Sequence, residues 1–276
     1  MPILARQLVR KMRGGAQAHL LEATDGKFYV VKFRNNPQHR RVLVNEWIAS
    51  VLMKHLQVSS PETTLIEVTK DFLRSNPDVY FQTGGHRLEV EPGWHFASCY
   101  PGSPKLVPVF DFLPDALLAK CLNIRDYIGA LVFDKWLSNA DSRQSIFYRA
   151  QVSDPLGNLV MKGGFVTQMM DNGFVFDGPN WQFTDSPIQG HYFRPQVYSE
   201  VRSLHDFQPW LDRVYHFPAE VIDDARKRIP LDWIEGDEDM LDQMLERLYA
   251  RRKRVGDLIE SSRCAKAELF PNWGRK

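Results

Sequence analysis

The chain has 276 residues, 43% of them apolar, so it is long enough to bury one large core or two smaller ones. Thirty-five basic residues against 34 acidic ones leave a formal charge of +1, which excludes a strong global field toward nucleic acid or an anionic membrane; any phosphate affinity must be local. Three dispersed cysteines, Cys99, Cys121 and Cys264, lack CxxC spacing and argue against a disulfide framework or zinc site, and no apolar run suits a secretory signal or a membrane span; a reducing cytoplasm is expected.

In chain order, the first strand is expected at 8–12, followed by the small-residue turn Gly14-Gly15-Ala16-Gln17 and a strand ending in Phe28-Tyr29-Val30-Val31-Lys32-Phe33. Asp25-Gly26 between them is a hairpin signal. Residues 40–56 carry Val44, Trp47, Ile48, Val51 and Leu52 at helical spacing, which predicts a helix with one apolar face on the sheet. Strands at 63–68, 79–82 and 95–100 extend a mostly antiparallel sheet. Pro101-Gly102-Ser103-Pro104 reads as a connector, so the lobe boundary is expected near 98–104, dividing the chain into 1–100 and 101–276. Beyond it, helices are expected at 116–121 and 124–137, strands at 145–149 and 164–170, a turn-rich stretch at 177–195, and helices near 204–214, 218–227 and 239–261. The run Arg247 to Arg254 is read as the solvated face of the last helix. The fold class is α+β, with an antiparallel β N-terminal lobe and a mainly helical C-terminal lobe.

Several of these segments end in chemistry. Lys32 closes an apolar strand, where an amine can be held near phosphate oxygens; the same pattern also describes a lysine that reaches to solvent. Glu46, on the helix that follows, is a carboxylate beside the buried stripe and is the expected partner of Lys32, with a surface glutamate as the alternative. Gly14, Gly15 and Gln17 precede Lys32 in the order that a phosphate-covering loop requires, although two glycines also suit a tight hairpin. In Asn139-Ala140-Asp141-Ser142-Arg143-Gln144, a helix runs into a polar loop: Asp141 is the candidate base and Gln144 a candidate metal ligand, or the loop simply caps a turn. At Met169-Met170-Asp171-Asn172-Gly173 an apolar strand delivers a carboxylate into a glycine turn, where Asp171 can ligate magnesium. The order of the whole series, from small-residue loop to Asp-x-Gly, favours one shared site. The eight histidines are scattered, with no metal-binding pair among them.

On the markers Val30-Val31-Lys32-Phe33, Val44-Asn45-Glu46, Asn139-Ala140-Asp141 and Asp171-Asn172-Gly173, the chain resembles the HipA-like kinases, a branch of the protein-kinase-like and phosphatidylinositol-kinase-like fold. The resemblance runs from about Gly14 to Phe176 and on into the helical tail. It implies ATP and magnesium as cofactors, Lys32 on the phosphates, Glu46 holding Lys32, Asp141 as base and Asp171 on the metal. It also implies a hinge beside adenine in 95–100, which brings in Ser98 and Tyr100. Two departures stand out: Gln144 follows Asp141 by three residues where an Asn five residues on is expected, and the chain is shorter than the HipA toxins, whose activity and substrate are not carried over. The expected activity is transfer of the γ-phosphoryl group to a hydroxyl, of protein serine or threonine or of a small molecule. The alternatives are a nucleotide-binding pseudokinase and an interaction module docking through the aromatic segment 181–193.

Overall fold

The structure is a computed structural model that describes residues 2–153 and 159–275; terminal residues 1 and 276 of the two expected lobes lie outside the described residues. Strands β1 (Ala5–Lys11), β2 (His19–Ala23) and β3 (Phe28–Lys32) lead into helix α1 (Arg41–His55), and β4 (Thr63–Val68) into a short helix α2 (Lys70–Ser75). A separate hairpin of β5 (Tyr80–Thr83) and β6 (His86–Glu89) precedes β7 (Gly93–Cys99). Then come α3 (Asp115–Leu118), α4 (Asp126–Leu137) and the long hairpin β8 (Gln144–Ser153) and β9 (Leu159–Met170). The chain closes with α5 (Trp210–Tyr215), α6 (Ala219–Lys227), α7 (Leu231–Ile234), α8 (Glu238–Arg251) and α9 (Val255–Ala265). None of the described helices is long and apolar enough to cross a membrane.

The main sheet has the order β1-β2-β3-β7-β4, antiparallel throughout, as the strand pattern predicts. Pleating sorts its side chains into two sets. Tyr29, Val31, Phe33, Ile66 and Ala97 enter a core with Phe72 of α2 and Phe81 of β5, so the strand expected at 79–82 covers the sheet rather than extending it. On the other face, the register sets Val30 opposite Ser98 and Lys32 opposite Phe96. Phe96 joins a second and larger core together with α1 and the C-terminal helices.

Helix α1 departs from the one-faced helix expected for 40–56. Val42, Leu43, Val44, Ile48, Ala49, Leu52 and Met53 are buried, and so are the polar Asn45, Glu46 and Ser50. The reason is that the sheet lies on one side and α6 and α7 on the other, leaving little of the helix to solvent. Arg34 Nη1 lies 2.6 Å from Asp232 Oδ2, and Trp233 Nε1 donates to the Trp94 carbonyl at 3.0 Å, so the tail is stitched back onto the sheet. Helix α4 is the centre of the large core: every residue from Tyr127 to Leu137 is buried, Asp134 and Lys135 among them.

Two expectations for the tail are corrected. The helix expected over 204–214 is a 3-10 turn at Leu204–Phe207 followed by α5, because Pro209 has no N–H to donate and restrains the residue before it. The helix expected over 239–261 is two, joined by a 3-10 turn at Arg252–Arg254. The run Arg247 to Arg254 is therefore not simply a solvated face. Arg251 is 7% exposed, donates to the carbonyls of Lys135 and Trp136 and pairs with Asp185, while Arg247 donates to the Trp181 carbonyl.

Three buried histidines make the fold sensitive to acid. Burial pushes His19 down to about 4, His95 to about 3 and His191 to about 4. His95 Nδ1 accepts the Arg34 N–H at 3.0 Å, which fixes a neutral ring. The unfolded chain takes up protons near pH 6.5 that the folded chain refuses, so this stability is present above about pH 6.5 and is lost as pH falls toward 4. Urea titrations should show a falling unfolding free energy between pH 7 and 4.5, by roughly 2–2.5 kcal/mol per buried histidine, with a shallower slope for His95→Gln.

Candidate active site

Lys32 is the last residue of β3, and the pleat that carries Val30 and Lys32 to the α1 side of the sheet places its amine between three elements. Lys32 Nζ donates to Glu46 Oε1 on α1 and, at 2.7 Å, to Asp171 Oδ1 just beyond β9. Lys32 and Glu46 are buried, whereas a third of the Asp171 side chain is exposed. Burial alone would lower the Lys32 ammonium, but the two carboxylates hold it above its ordinary range. The Lys32 charge holds Asp171 below the usual carboxylate range, and desolvation raises Glu46. The site thus keeps a fixed cation and an ionised carboxylate side by side. Sequence order predicts this convergence, and of the two readings of Glu46 the buried pair is the one found.

The polar loop between α4 and β8 is built on an ion pair between Arg143 and Asp134. Ser138 ends α4 in the left-handed region, φ 50°, and the chain turns through Asn139 into the loop. Arg143 forms a bidentate pair with Asp134, its Nε 2.8 Å from Oδ2 and its Nη2 on Oδ1, and both side chains are essentially buried. The same guanidinium donates through Nη1 to the Met170 carbonyl at 3.0 Å and to Asn172 Oδ1 at 2.9 Å. Arg143 therefore joins the Asp141 loop to the two residues that flank Asp171. Asn139 donates to Asp134 Oδ1 at 2.9 Å and accepts the Asp141 N–H at 3.2 Å, so it both braces the loop and caps its turn.

Asp141 is exposed, with Oδ1 accepting the Ser142 N–H at 2.7 Å and Oδ2 3.4 Å from Gln144 Nε2. Gln144 opens β8 opposite Met170, one residue before Asp171. It helps to line a cleft of about 550 Å³ with Arg10, Met12, Tyr100, Asp111 and Met170. A narrower recess of about 40 Å³ lies across Met170 and is lined by Val30, Lys32, Glu46, Ser98 and Asp171. Ser98 and Tyr100 thus border the two spaces on the connector side. Gly14 and Gly15 follow Met12 and Arg13, which line the cleft wall, and Gly14 takes φ 114° in the turn closed by the Gln17 N–H on its carbonyl. Gln17 itself is a correction: both ends of its amide bond the Gln82 backbone, at 2.9 and 2.7 Å, so its side chain secures the loop to β5 rather than facing the cleft.

Asp171-Asn172-Gly173 is not a hairpin turn. Asp171 has φ 58°, Asn172 is buried, and the chain runs on beneath α1. Asn45, wholly buried, places its amide nitrogen 2.8–3.0 Å from the carbonyls of Gly173, Val175 and Gly178, and its oxygen accepts the Trp181 indole N–H at 2.8 Å. A Cβ on Gly173 would lie 2.7 Å from Val42 Cγ1 and 3.8 Å from Lys32 Nζ, so only glycine lets the segment approach this closely. Trp181 is fully buried, which removes it from the aromatic docking surface envisaged for 181–193.

The donor set suits a nucleotide with a hard divalent cation. Asp171 offers an oxygen and Lys32 a cation in the narrow recess, Gln144 offers an oxygen in the neighbouring cleft across Met170, and no group of three or more His, Cys, Asp or Glu side chains among the described residues forms a preformed metal cage. Within the linked cluster, Lys32 and Arg143 face Glu46, Asp171 and Asp134, an excess of negative charge that favours a cation. In the sequence reading Asn45 and Asn172 appear only as parts of the motifs Val44-Asn45-Glu46 and Asp171-Asn172-Gly173, with no role of their own, and Asp134 has none; the available signal was a polar residue beside apolar ones. Asp134→Ala should destabilise the fold by roughly 3–5 kcal/mol, because it strands a buried guanidinium, and Asp134→Ala with Arg143→Leu should cost clearly less than the two single changes summed. Denaturant unfolding of the three variants measures it.

No curated protein matches the chain in sequence. Its fold is similar to that of the Golgi casein kinase, with a TM-score of 0.52 at 11% identity over 99% of this chain and 74% of that one. It is also similar to hydra Fam20, solved with sugar, at TM-score 0.51 and 14% identity over 99% and 87%. The Helicobacter pylori proinflammatory kinase CtkA gives TM-score 0.50 and 14% identity over 94% of each chain. These likenesses establish a kinase-like, two-lobed α+β fold. Residues 5–258, nearly the whole chain, match the HipA-like kinase family, and the chain belongs to that family.

Proposed function

We propose that this HipA-like kinase is an ATP- and magnesium-dependent phosphotransferase that moves the γ-phosphoryl group to a hydroxyl, that of a protein serine or threonine in the first instance. The observation that carries the reading is the Lys32 ammonium bonded to both Glu46 and Asp171, three residues from separate parts of the chain that line one recess beside the cleft. In this reading Lys32 holds phosphate oxygens, Glu46 orients Lys32, and Asp171 exchanges part of its contact with Lys32 for the metal, with Gln144 as the second protein oxygen. Magnesium, when bound, supplies the positive charge that offsets the phosphate oxygens. The backbone of Gly14 and Gly15 approaches the phosphates, and Ser98 and Tyr100 border the base. Asp141, exposed and 3.4 Å from Gln144 Nε2, orients the acceptor hydroxyl and takes its proton.

The lobe boundary at residues 100 and 101 and a cytoplasmic location, which suits three free thiols, belong to the same proposal. The contact between Gln144 and Asp141 within a shortened loop is the feature that favours the alternative, a pseudokinase that binds nucleotide without transfer.

Purified protein should gain thermal stability with ATP and magnesium, by about 2.7 kcal/mol at a hundredfold excess over Kd, and should label itself or a lysate protein from radiolabelled ATP. Asp141→Asn should lower transfer by about 10²–10⁴ while keeping the thermal shift, and Lys32→Met should lose both. A shift without transfer in the unmutated protein identifies the pseudokinase; no shift with any nucleotide overturns both readings.

A further inference from the structure

Kinase sites work only when the strand lysine, the helix glutamate and the metal-loop aspartate are in place together, and helix positioning is a common point of control. In this chain the helix carrying Glu46 is tied down by the residue next to it. Asn45 has no solvent exposure, and its side chain reaches Gly173, Val175, Gly178 and Trp181, the segment directly after Asp171. An amide nitrogen has two hydrogens, so three carbonyls within 3.0 Å share them, and any outward movement of α1 exposes several buried acceptors at once. Two further contacts act on the same face. Arg41, one turn earlier, donates to the Pro179 carbonyl at 2.8 Å and pairs with Asp237, and Gly173 is pressed against Val42.

We infer that Asn45 is a positioning residue: by clamping α1 to the segment 173–181 it holds Glu46 on Lys32, so that the Lys32–Glu46–Asp171 cluster is assembled before nucleotide or any phosphorylation arrives. Glu46 faces the sheet side of α1 and Asn45 the C-terminal side, so neighbouring residues of one helix fix both ends of the lysine's environment. The inference rests on the phosphotransferase reading only for the two arms that add nucleotide.

Hydrogen exchange read by mass spectrometry on the full chain, without nucleotide, tests the clamp directly. Asn45→Ala should speed exchange in 41–55 and 173–181 together while 126–137 keeps its protection. In the unmutated protein, adding ATP and magnesium should leave protection of 41–55 unchanged, a comparison that holds even where the variant fails to fold. In thermal titrations Asn45→Ala should weaken ATP–magnesium binding about tenfold, or ~1.4 kcal/mol, and should add nothing further in a Glu46→Gln background, where a merely destabilising change would add in full. Additive losses, new protection of α1 on binding nucleotide, or faster exchange confined to 173–181 overturns the inference. Absence of nucleotide binding in the unmutated protein tells instead against the phosphotransferase reading, and the nucleotide-free exchange then decides the clamp alone.

Discussion

Everything in this fold is arranged around one buried ammonium. Taking Lys32 out of water is unfavourable by several kcal/mol unless carboxylates meet it, and both that do come from outside its strand: Glu46 from α1 and Asp171 from the far end of β9, 139 residues along the chain. Glu46, buried as deeply as the lysine, must in turn be held, and Asp171, a third exposed, must be held in place to reach it. That need accounts for the burial of α1 on both sides, for the long β8–β9 hairpin that ends at Asp171, and for Arg143, which secures the residues on either side of Asp171. The helical tail takes part too, because α6 and α7 provide the second wall against which α1 is packed.

This dependence gives a physical account of a kinase-like fold shared with other proteins at 11–14% sequence identity. The cluster demands a few charged residues at defined positions in three elements, and the apolar packing around them demands volume and pattern rather than identity. The core clusters here are built from ordinary aliphatic and aromatic residues on α1, α4 and the sheet, and many other combinations would fill the same space.

Lys32, Glu46 and Asp171 were legible in the sequence because Lys32 and Asp171 sit at the ends of strongly patterned strands and Glu46 lies beside the apolar stripe of a helix, where local periodicity fixes the element and chain order suggests the meeting point. Asp141 and Gln144 were legible as a loop, but their mutual contact depends on a loop length that no motif describes. Asn45, Asp134 and Asn172 were not, because a polar residue within an apolar run announces burial without naming its partner, and their partners are as much as 136 residues away. Gln17 shows the converse. Its place in a small-residue turn suggested a ligand contact, but a long amide can reach sideways to a neighbouring hairpin. The arginine run at 247–254 was misread for a related reason: charge density suggests solvent, but Arg251 finds two carbonyls and a carboxylate deep against α4.

The close approach of Gly173 to Val42 reaches beyond geometry into the freedom of the sequence to change. Positions 42 and 173 share a single methyl-sized space, so a side chain gained at one has to be given up at the other. Because Lys32 Nζ lies 3.8 Å from that same point, drift at this otherwise apolar contact is felt by the charge cluster. A side chain at 173 therefore requires a smaller residue at 42.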